Sequence, residues 1–274
     1  DPPDHSRVRG LVAHAFRARA LATWEQRIER VVDELLEENL TDNEMDLIAD
    51  FAYLLPLTVV GEMLGVPTDD RDRLKTWGAA VTASLEPNPS EQVIADANAT
   101  VEDFKSYLGE LADRRRSEPG DDLMSILVSA EEDGQTLTDL ELLHNAAFLL
   151  NAGHETTSNL IGSGTDALFR HPDQLDLLRT RPELVESAVE EMLRYDSPNQ
   201  IGGRLALEEV TLRDTTIAAN TFVWVANGAA NRDPAAYDRP DRFDITRTPN
   251  PHLAFGHGPH LCLGAALARM EARV

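Results

Sequence analysis

The chain has 274 residues, 42% of them hydrophobic, enough to bury one sizeable core. Aromatic residues make up only 5%, and the apolar positions recur mostly at helical spacing, which argues against a β-sandwich. A net charge of −23, with lysine only at positions 75 and 105, excludes nucleic acid and anionic lipid as natural partners.

Residues 6–39 carry Val8, Leu11, Val12 and Ala15, then Ile28, Val31, Val32, Leu35 and Leu36, at helical spacing with a break over 16–23. Two helices are therefore predicted. Pro56 fits the first turn of a helix that runs to Leu64, where Gly65 and Pro67 stop it. The most apolar run, 51–66, is interrupted by Pro56 and Glu62 and is shorter than the ~20 residues a bilayer-spanning helix needs, so no membrane segment is expected. Helices follow over 70–85, 90–117 and 121–131, with a loop at 86–89.

Thr138 and Glu141 form a capping box that opens the longest helix, predicted to end at His171 before Pro172. At the rise of an α-helix this element is roughly 50 Å long. A further helix fits 182–195, short strands fit 204–207, 210–212 and 222–226, and 227–258 is loop-rich before a last helix from Leu263. No repeat or linker divides the chain, so 1–274 reads as a single domain. It opens at Asp1 without methionine and stops at Val274 inside a helical pattern, and is read as truncated at both ends. The lone cysteine excludes an internal disulfide and agrees with a cytoplasmic location.

The chemistry concentrates in two segments. Residues 255–264 read Phe255-Gly256-His257-Gly258-Pro259-His260-Leu261-Cys262-Leu263-Gly264. Two glycines shape a tight loop, and the cysteine stands at the mouth of a helix, whose dipole and unpaired N–H groups favour a thiolate. On the residues alone three readings stay open: an inert thiol, an iron ligand, or a zinc site shared with His257 and His260. The middle of the long helix reads Ala152-Gly153-His154-Glu155-Thr156-Thr157. Glycine, an acid and a hydroxyl are poor choices for the centre of a buried helix, so a functional kink is expected there. A metalloprotease reading of His154-Glu155 fails, because the second histidine it needs falls on Ser158.

Taken together, the Phe-Gly-x-Gly-x-His-x-Cys-x-Gly loop at 255–264 and the Ala-Gly-x-Glu-Thr-Thr helix at 152–157 resemble the two most specific signatures of the cytochrome P-450 family. Glu191 and Arg194 are similar to its Glu-x-x-Arg helix, Arg242 in Pro240-Asp241-Arg242-Phe243 to the third member of that buried ion network, and residues 1–9 to the start of the helix beside its haem. The resemblance covers the whole chain; the family's N-terminal sheet and closing C-terminal strands lie beyond Asp1 and Val274.

What the resemblance implies is a mainly α fold with small β-sheets, the long helix over haem b and the cysteine loop beneath it. Cys262 is then the axial thiolate and sole protein ligand to the metal, favouring O–O cleavage. Phe255 shields the sulfur, and Gly256, Gly258 and Gly264 let the backbone approach it and the porphyrin. Ala152 and Gly153 lie against the haem, and His5, Arg9, Arg204 and His260 meet its carboxylates. Glu155 and Thr156 are the catalytic pair, handling protons for O2, while Glu191, Arg194 and Arg242 are scaffold. Phe148, Asn151, Ala152, Gln200 and Ile201 line the substrate pocket.

The implied reaction inserts one oxygen atom of O2 into a small organic substrate, a hydroxylation typical of secondary metabolism. Electrons come from NAD(P)H through a ferredoxin or flavodoxin, for which Arg7, Arg17 and Arg19 are candidate docking charges, and the protein is a monomer. The rivals are a peroxide-driven haem-thiolate enzyme, a haem-binding sensor and a zinc-bound structural domain.

Overall fold

Apolar residues three and four apart turn into buried stripes wherever the pattern predicted a helix. The computed structural model describes residues 4–16, 21–40, 44–85, 89–132 and 134–274, and they fall into two units.

The first unit comprises 1–158 with 263–272 and 274. It contains α1 (Asp4–Ala13), α2 (Trp24–Asn39), a π-helical turn (Leu47–Ala52) running into α3 (Leu54–Leu64), α4 (Arg71–Leu85), α5 (Glu91–Ser117) and α6 (Leu123–Ser129). The helix starts are capped as their sequences demand: Asp46 accepts from the N–H groups of Ile48 and Ala49, Ser90 from Val93, and Asp122 from Ser125. At the end of α3, Gly65 takes φ 82°, and a side chain there would also collide with Asp122. The core gathers Leu57, Val60 and Leu64 of α3, Trp77 of α4 and Phe104, Leu108 and Leu111 of α5. Trp77 stacks on Phe104 at 4.5 Å between ring centres, and Tyr107 donates to Asp70 Oδ2 at 2.7 Å.

Helix α3 is buried on all sides from Leu55 to Gly61. With the turn before it, the stretch Leu47–Leu64 is long and apolar enough to cross a membrane, which corrects the shorter run read from 51–66; 56% of it is buried inside the protein, as a core helix would be. A two-residue hairpin, β1 (Glu131–Glu132) against β2 (Gln135–Thr136), then leads into α7 (Asp139–Arg170), and α11 (Ala265–Arg273) ends the chain. The capping box at the start of α7 forms: Thr138 N–H donates to Glu141 Oε2 at 2.9 Å, and Glu141 N–H donates to Thr138 Oγ1 at 3.3 Å. Arg7 of α1 also pairs with Glu141 and holds its carboxyl well below the usual range, at about 2. On α11, Glu271 is buried with one unpartnered oxygen among the described residues, and burial pushes its carboxyl up to about 8.

The second unit, residues 159–262 with 273, starts from the C-terminal half of α7. Then come α8 (Pro172–Thr180), a 3₁₀ turn (Pro182–Leu184), α9 (Val185–Tyr195), β3 (Gly202–Leu205), β4 (Val210–Leu212), β5 (Thr215–Ile217), β6 (Phe222–Val225) and α10 (Asn227–Ala230). Strands β3 and β6 pair antiparallel from Gly202↔Val225 to Leu205↔Phe222, and β4 pairs with β5 from Val210↔Ile217 to Leu212↔Thr215. Helix α8 was not expected. Pro172 does end α7, but it is also a good first residue for a new helix, and only His171 separates the two.

Two full charges organise the loops of this unit. Glu191 and Arg194, three apart on α9, are both fully buried and bond through Arg194 Nε to Glu191 Oε2 at 2.8 Å and Arg194 Nη2 to Glu191 Oε1 at 2.9 Å. Arg194 donates its remaining hydrogens to the carbonyls of Asn231, Pro240 and Arg242. Glu191 in turn accepts from Asp244 N–H, Asn250 Nδ2 and Arg247 Nε. The sequence expectation is corrected in one member: the third charged partner is Arg247, at 3.1 Å, while Arg242 lends only its carbonyl and keeps its side chain exposed. Removing one partner of such a pair leaves the others buried and unpaired, at a cost of ~3–5 kcal/mol. Glu191→Ala is therefore expected to cut soluble yield and to lower the urea midpoint well below the parent's; a variant as soluble and as stable as the parent would remove Glu191 from the scaffold.

Candidate functional site

In the first unit the candidate residues lie on α7 and α1. Phe148, Ala152 and Thr156 follow at intervals of four and share one face. Phe148 is 66% exposed, Ala152 half-buried and Thr156 exposed, while Asn151 and Glu155 are half-buried beside them. The Thr156 hydroxyl donates to the Ala152 carbonyl at 2.8 Å. Its hydrogen is thus committed to the helix, and its lone pairs remain to accept.

Helix α7 is α-helical throughout, with no break at Gly153, where the sequence suggested a kink; a Cβ at 153 would stand 3.4 Å from Val60 Cγ2, an ordinary contact distance. His154 points inward. It is 3% exposed, meets the Tyr53 ring edge-on at 4.2 Å, and has neither ring nitrogen hydrogen-bonded among the described residues. Burial pushes its imidazole down to about 4, so it is neutral at physiological pH and is no proton donor. Tyr53 feels both burial and the charge of Glu155, which together push its hydroxyl up.

On α1, His5 and Arg9 are four apart on one face and half-buried. Arg7, one of the expected docking charges, is engaged by Glu141. Arg17 and Arg19 lie outside the described residues.

In the second unit the cysteine loop turns on two left-handed glycines, Gly256 at φ 72° and Gly258 at φ 78°. Gly256 N–H donates to Leu253 O at 2.9 Å, Leu261 N–H to Gly258 O at 3.0 Å, and Cys262 N–H to Phe255 O at 2.9 Å. This folds the loop back on itself and presents Cys262 exposed, outside any disulfide. Phe255 is half-buried at its base. Gly264, in the first unit, is the N-cap of α11. Arg204 is exposed on β3 and donates to Gly203 O at 2.7 Å. Ile201 is 52% exposed. Gln200 has both amide hydrogens taken, by Asp196 Oδ1 at 2.9 Å and Ser197 O at 2.8 Å, and its carbonyl oxygen lies over Gly228, where a Cβ would displace it.

His257 and His260 are exposed, and among the described residues no three His, Cys, Asp or Glu side chains are placed to hold a metal ion. A haem fits the donor set better, since the macrocycle brings four nitrogens and asks the protein for one axial ligand. The glycines agree with it. Gly264 has an ordinary φ of −83°, and a Cβ there would meet no protein atom within 4 Å, so nothing in the protein's own packing requires glycine at that position. A flat ring lying against the backbone would.

The model of the family described as Cytochrome P450 matches residues 1–274. The chain belongs to the cytochrome P450 family. It is 46% identical over 275 residues to Cytochrome P450 107B1 of Saccharopolyspora erythraea and 45% identical over 276 residues to the Vitamin D(3) 25-hydroxylase of Pseudonocardia autotrophica. Both alignments cover all of this chain, which spans about two thirds of those relatives, 66% and 67% of their lengths. Among solved structures, P450BioI in complex with an acyl carrier protein ligated to hexadec-9Z-enoic acid superposes with a TM-score of 0.95 at 40% identity, covering all of this chain and 70% of that one. The expected mainly α fold with small sheets is therefore that of the cytochrome P450 enzymes, and membership implies haem with a thiolate ligand.

Burial of His154 gives a pH signature. The unfolded imidazole takes a proton near its ordinary value of 6.5 and the folded one only near 4, so stability is full above 6.5 and falls as pH drops from 6.5 to 4. Between pH 7 and pH 5 this amounts to about 2 kcal/mol, at about 1.4 kcal/mol per pKa unit. His154→Leu is expected to remove that loss, read as the urea midpoint at pH 7 and pH 5 for variant and parent. Glu271 slopes the other way in both proteins and cancels from the comparison. An unchanged slope in the variant would mean that His154 is hydrated in solution.

Proposed function

We propose that this chain is the haem-thiolate core of a monooxygenase that inserts one oxygen atom of O2 into a small organic substrate. The observation that carries the reading is the exposed Cys262, held on a loop folded back through Phe255 ahead of α11. Cys262 ligates the metal. Phe255, Gly256 and Gly264 form the bed around the thiolate, with Ala152 and Gly153 of α7 against the ring, and His5, Arg9, Arg204 and His260 hold the haem carboxylates. Bound in this way, haem supplies O2 binding and stepwise electron transfer, and its thiolate ligand favours O–O cleavage.

The remaining chemistry is proton delivery, and it belongs to α7. Thr156 has given its own hydrogen to Ala152, so it orients a water by accepting from it. The second hydrogen of that water is then free to be donated onward. Glu155, the next residue back, takes a proton from solvent at its carboxylate and passes it to the water. By the family resemblance Phe148, Asn151, Ala152, Gln200 and Ile201 line the substrate pocket, with both amide hydrogens of Gln200 already taken within the protein. Electrons come from NAD(P)H through a ferredoxin or flavodoxin. The protein works as a cytoplasmic monomer in secondary metabolism. An acid-alcohol pair on α7 favours this reading over a peroxide-driven enzyme, because peroxide brings its own protons and electrons.

Cys262→Ser in the full-length protein is expected to abolish the strongly red-shifted Soret band of the reduced CO complex. Retention of that band would remove Cys262 from the mechanism. Thr156→Ala is expected to bind haem and substrate and to consume NAD(P)H, yet to release mainly peroxide, while Glu155→Asn slows the cycle by ~10²–10⁴-fold, the usual worth of acid–base assistance. Product formed per NAD(P)H oxidised is the measurement. Parent-like coupling in Thr156→Ala would overturn the acid-alcohol assignment.

A further inference from the structure

Outside the residues already assigned, the second unit holds a histidine–carboxylate pair close in sequence to the cysteine loop, with the histidine buried and the carboxylate half-buried. His252, ten residues before Cys262, has a side chain only 3% exposed. Its Nε2 lies 2.9 Å from Glu190 Oε2, and its Nδ1 accepts the Ala254 N–H at 3.3 Å. Those two partners settle the tautomer: with Nδ1 accepting, the hydrogen is on Nε2 and is donated to the Glu190 carboxylate. The imidazole therefore connects helix α9 to the backbone at 254. Phe255 follows immediately, its ring 5.9 Å from that of His252, and its carbonyl receives the Cys262 N–H.

Leu253 N–H is bonded to Asn231 Oδ1 at 2.7 Å, and no helix or strand covers 231–257. Side chains of α8, α9 and Asn231 hold this segment, with Gln174 holding Ile245, Glu191 holding Asp244, Arg247 and Asn250, and Glu190 holding His252.

We propose that His252 is a positioning residue for the thiolate: held by Glu190, it fixes Ala254 and Phe255 and through them the carbonyl to which Cys262 is bonded. The chemistry is that of an outer-shell histidine, whose hydrogen-bonded ring orients a ligand it does not touch. This rests on Cys262 being the haem ligand. Replacing the imidazole removes a donor and an acceptor that serve different ends, and single-atom mimics separate them. Asparagine reproduces the Nδ1 acceptor for Ala254, and glutamine the Nε2 donor to Glu190.

The test uses the full-length protein and compares the parent with His252→Leu, His252→Asn and His252→Gln. Two quantities are read: the fraction of the reduced CO complex carrying the thiolate-type Soret band, normalised to bound haem, and the rate at which iodoacetamide alkylates Cys262 in haem-free protein, followed by mass spectrometry of the peptide that contains Cys262. His252→Leu is expected to lose most of the thiolate band and to weaken haem retention ~10–100-fold, the usual size of an outer-shell effect. Its alkylation rate should differ from the parent's. His252→Asn is expected to restore both quantities more fully than His252→Gln, because it keeps the bond to Ala254. If His252→Leu does not fold, the order of Asn over Gln decides. A merely stabilising contact would lower the melting temperature and leave the normalised band and the alkylation rate at parental values; that outcome, or equal behaviour of Asn and Gln, overturns the proposal. A parent protein without the thiolate band would instead sink the haem-thiolate reading itself.

Discussion

The buried pair Glu191–Arg194 is the constraint on which the second unit depends. Neither charge reaches solvent, so each must be satisfied by the protein, and together they draw in three carbonyls, a backbone N–H, Asn250 and Arg247. A stretch of more than twenty residues without long regular elements acquires a defined path because two ions on one helix turn leave it no alternative. Desolvating two ions is expensive, and the return is geometric specificity more than stability. Here that specificity is delivered to the chain segment leading to Cys262.

The two units were legible in the sequence to different degrees. Long elements with strong periodicity emerged with nearly their expected bounds: the helix predicted from Thr138 to His171 is Asp139–Arg170, and its capping box forms as written. Short elements were legible unevenly: β4 and β6 fall where strands were expected, over 210–212 and 222–226, while β5 was missed, and so was α8, because Pro172 reads locally as a stop and serves equally as a start. Arg242 and Arg247 illustrate a different limit. Both are arginines in one loop, and which of them reaches Glu191 depends on the path of the backbone, not on residue type.

The chemistry-bearing residues follow the same division. The cysteine loop and the polar centre of α7 stand out because glycines, an acid and hydroxyls sit where a plain core would place alanine or leucine. His252 and Glu190 carry no such mark: they are 62 residues apart, and an isolated histidine in a loop looks like solvated surface.

The carboxylate of Glu141 has a role that extends past its own helix. It receives the Thr138 N–H that starts α7 and, at the same time, the guanidinium of Arg7. Helix α1, which carries His5 and Arg9, is thus tied through one carboxylate to the first turn of the helix that carries Glu155 and Thr156, and an outward displacement of α1 has to break the pair between Arg7 and Glu141.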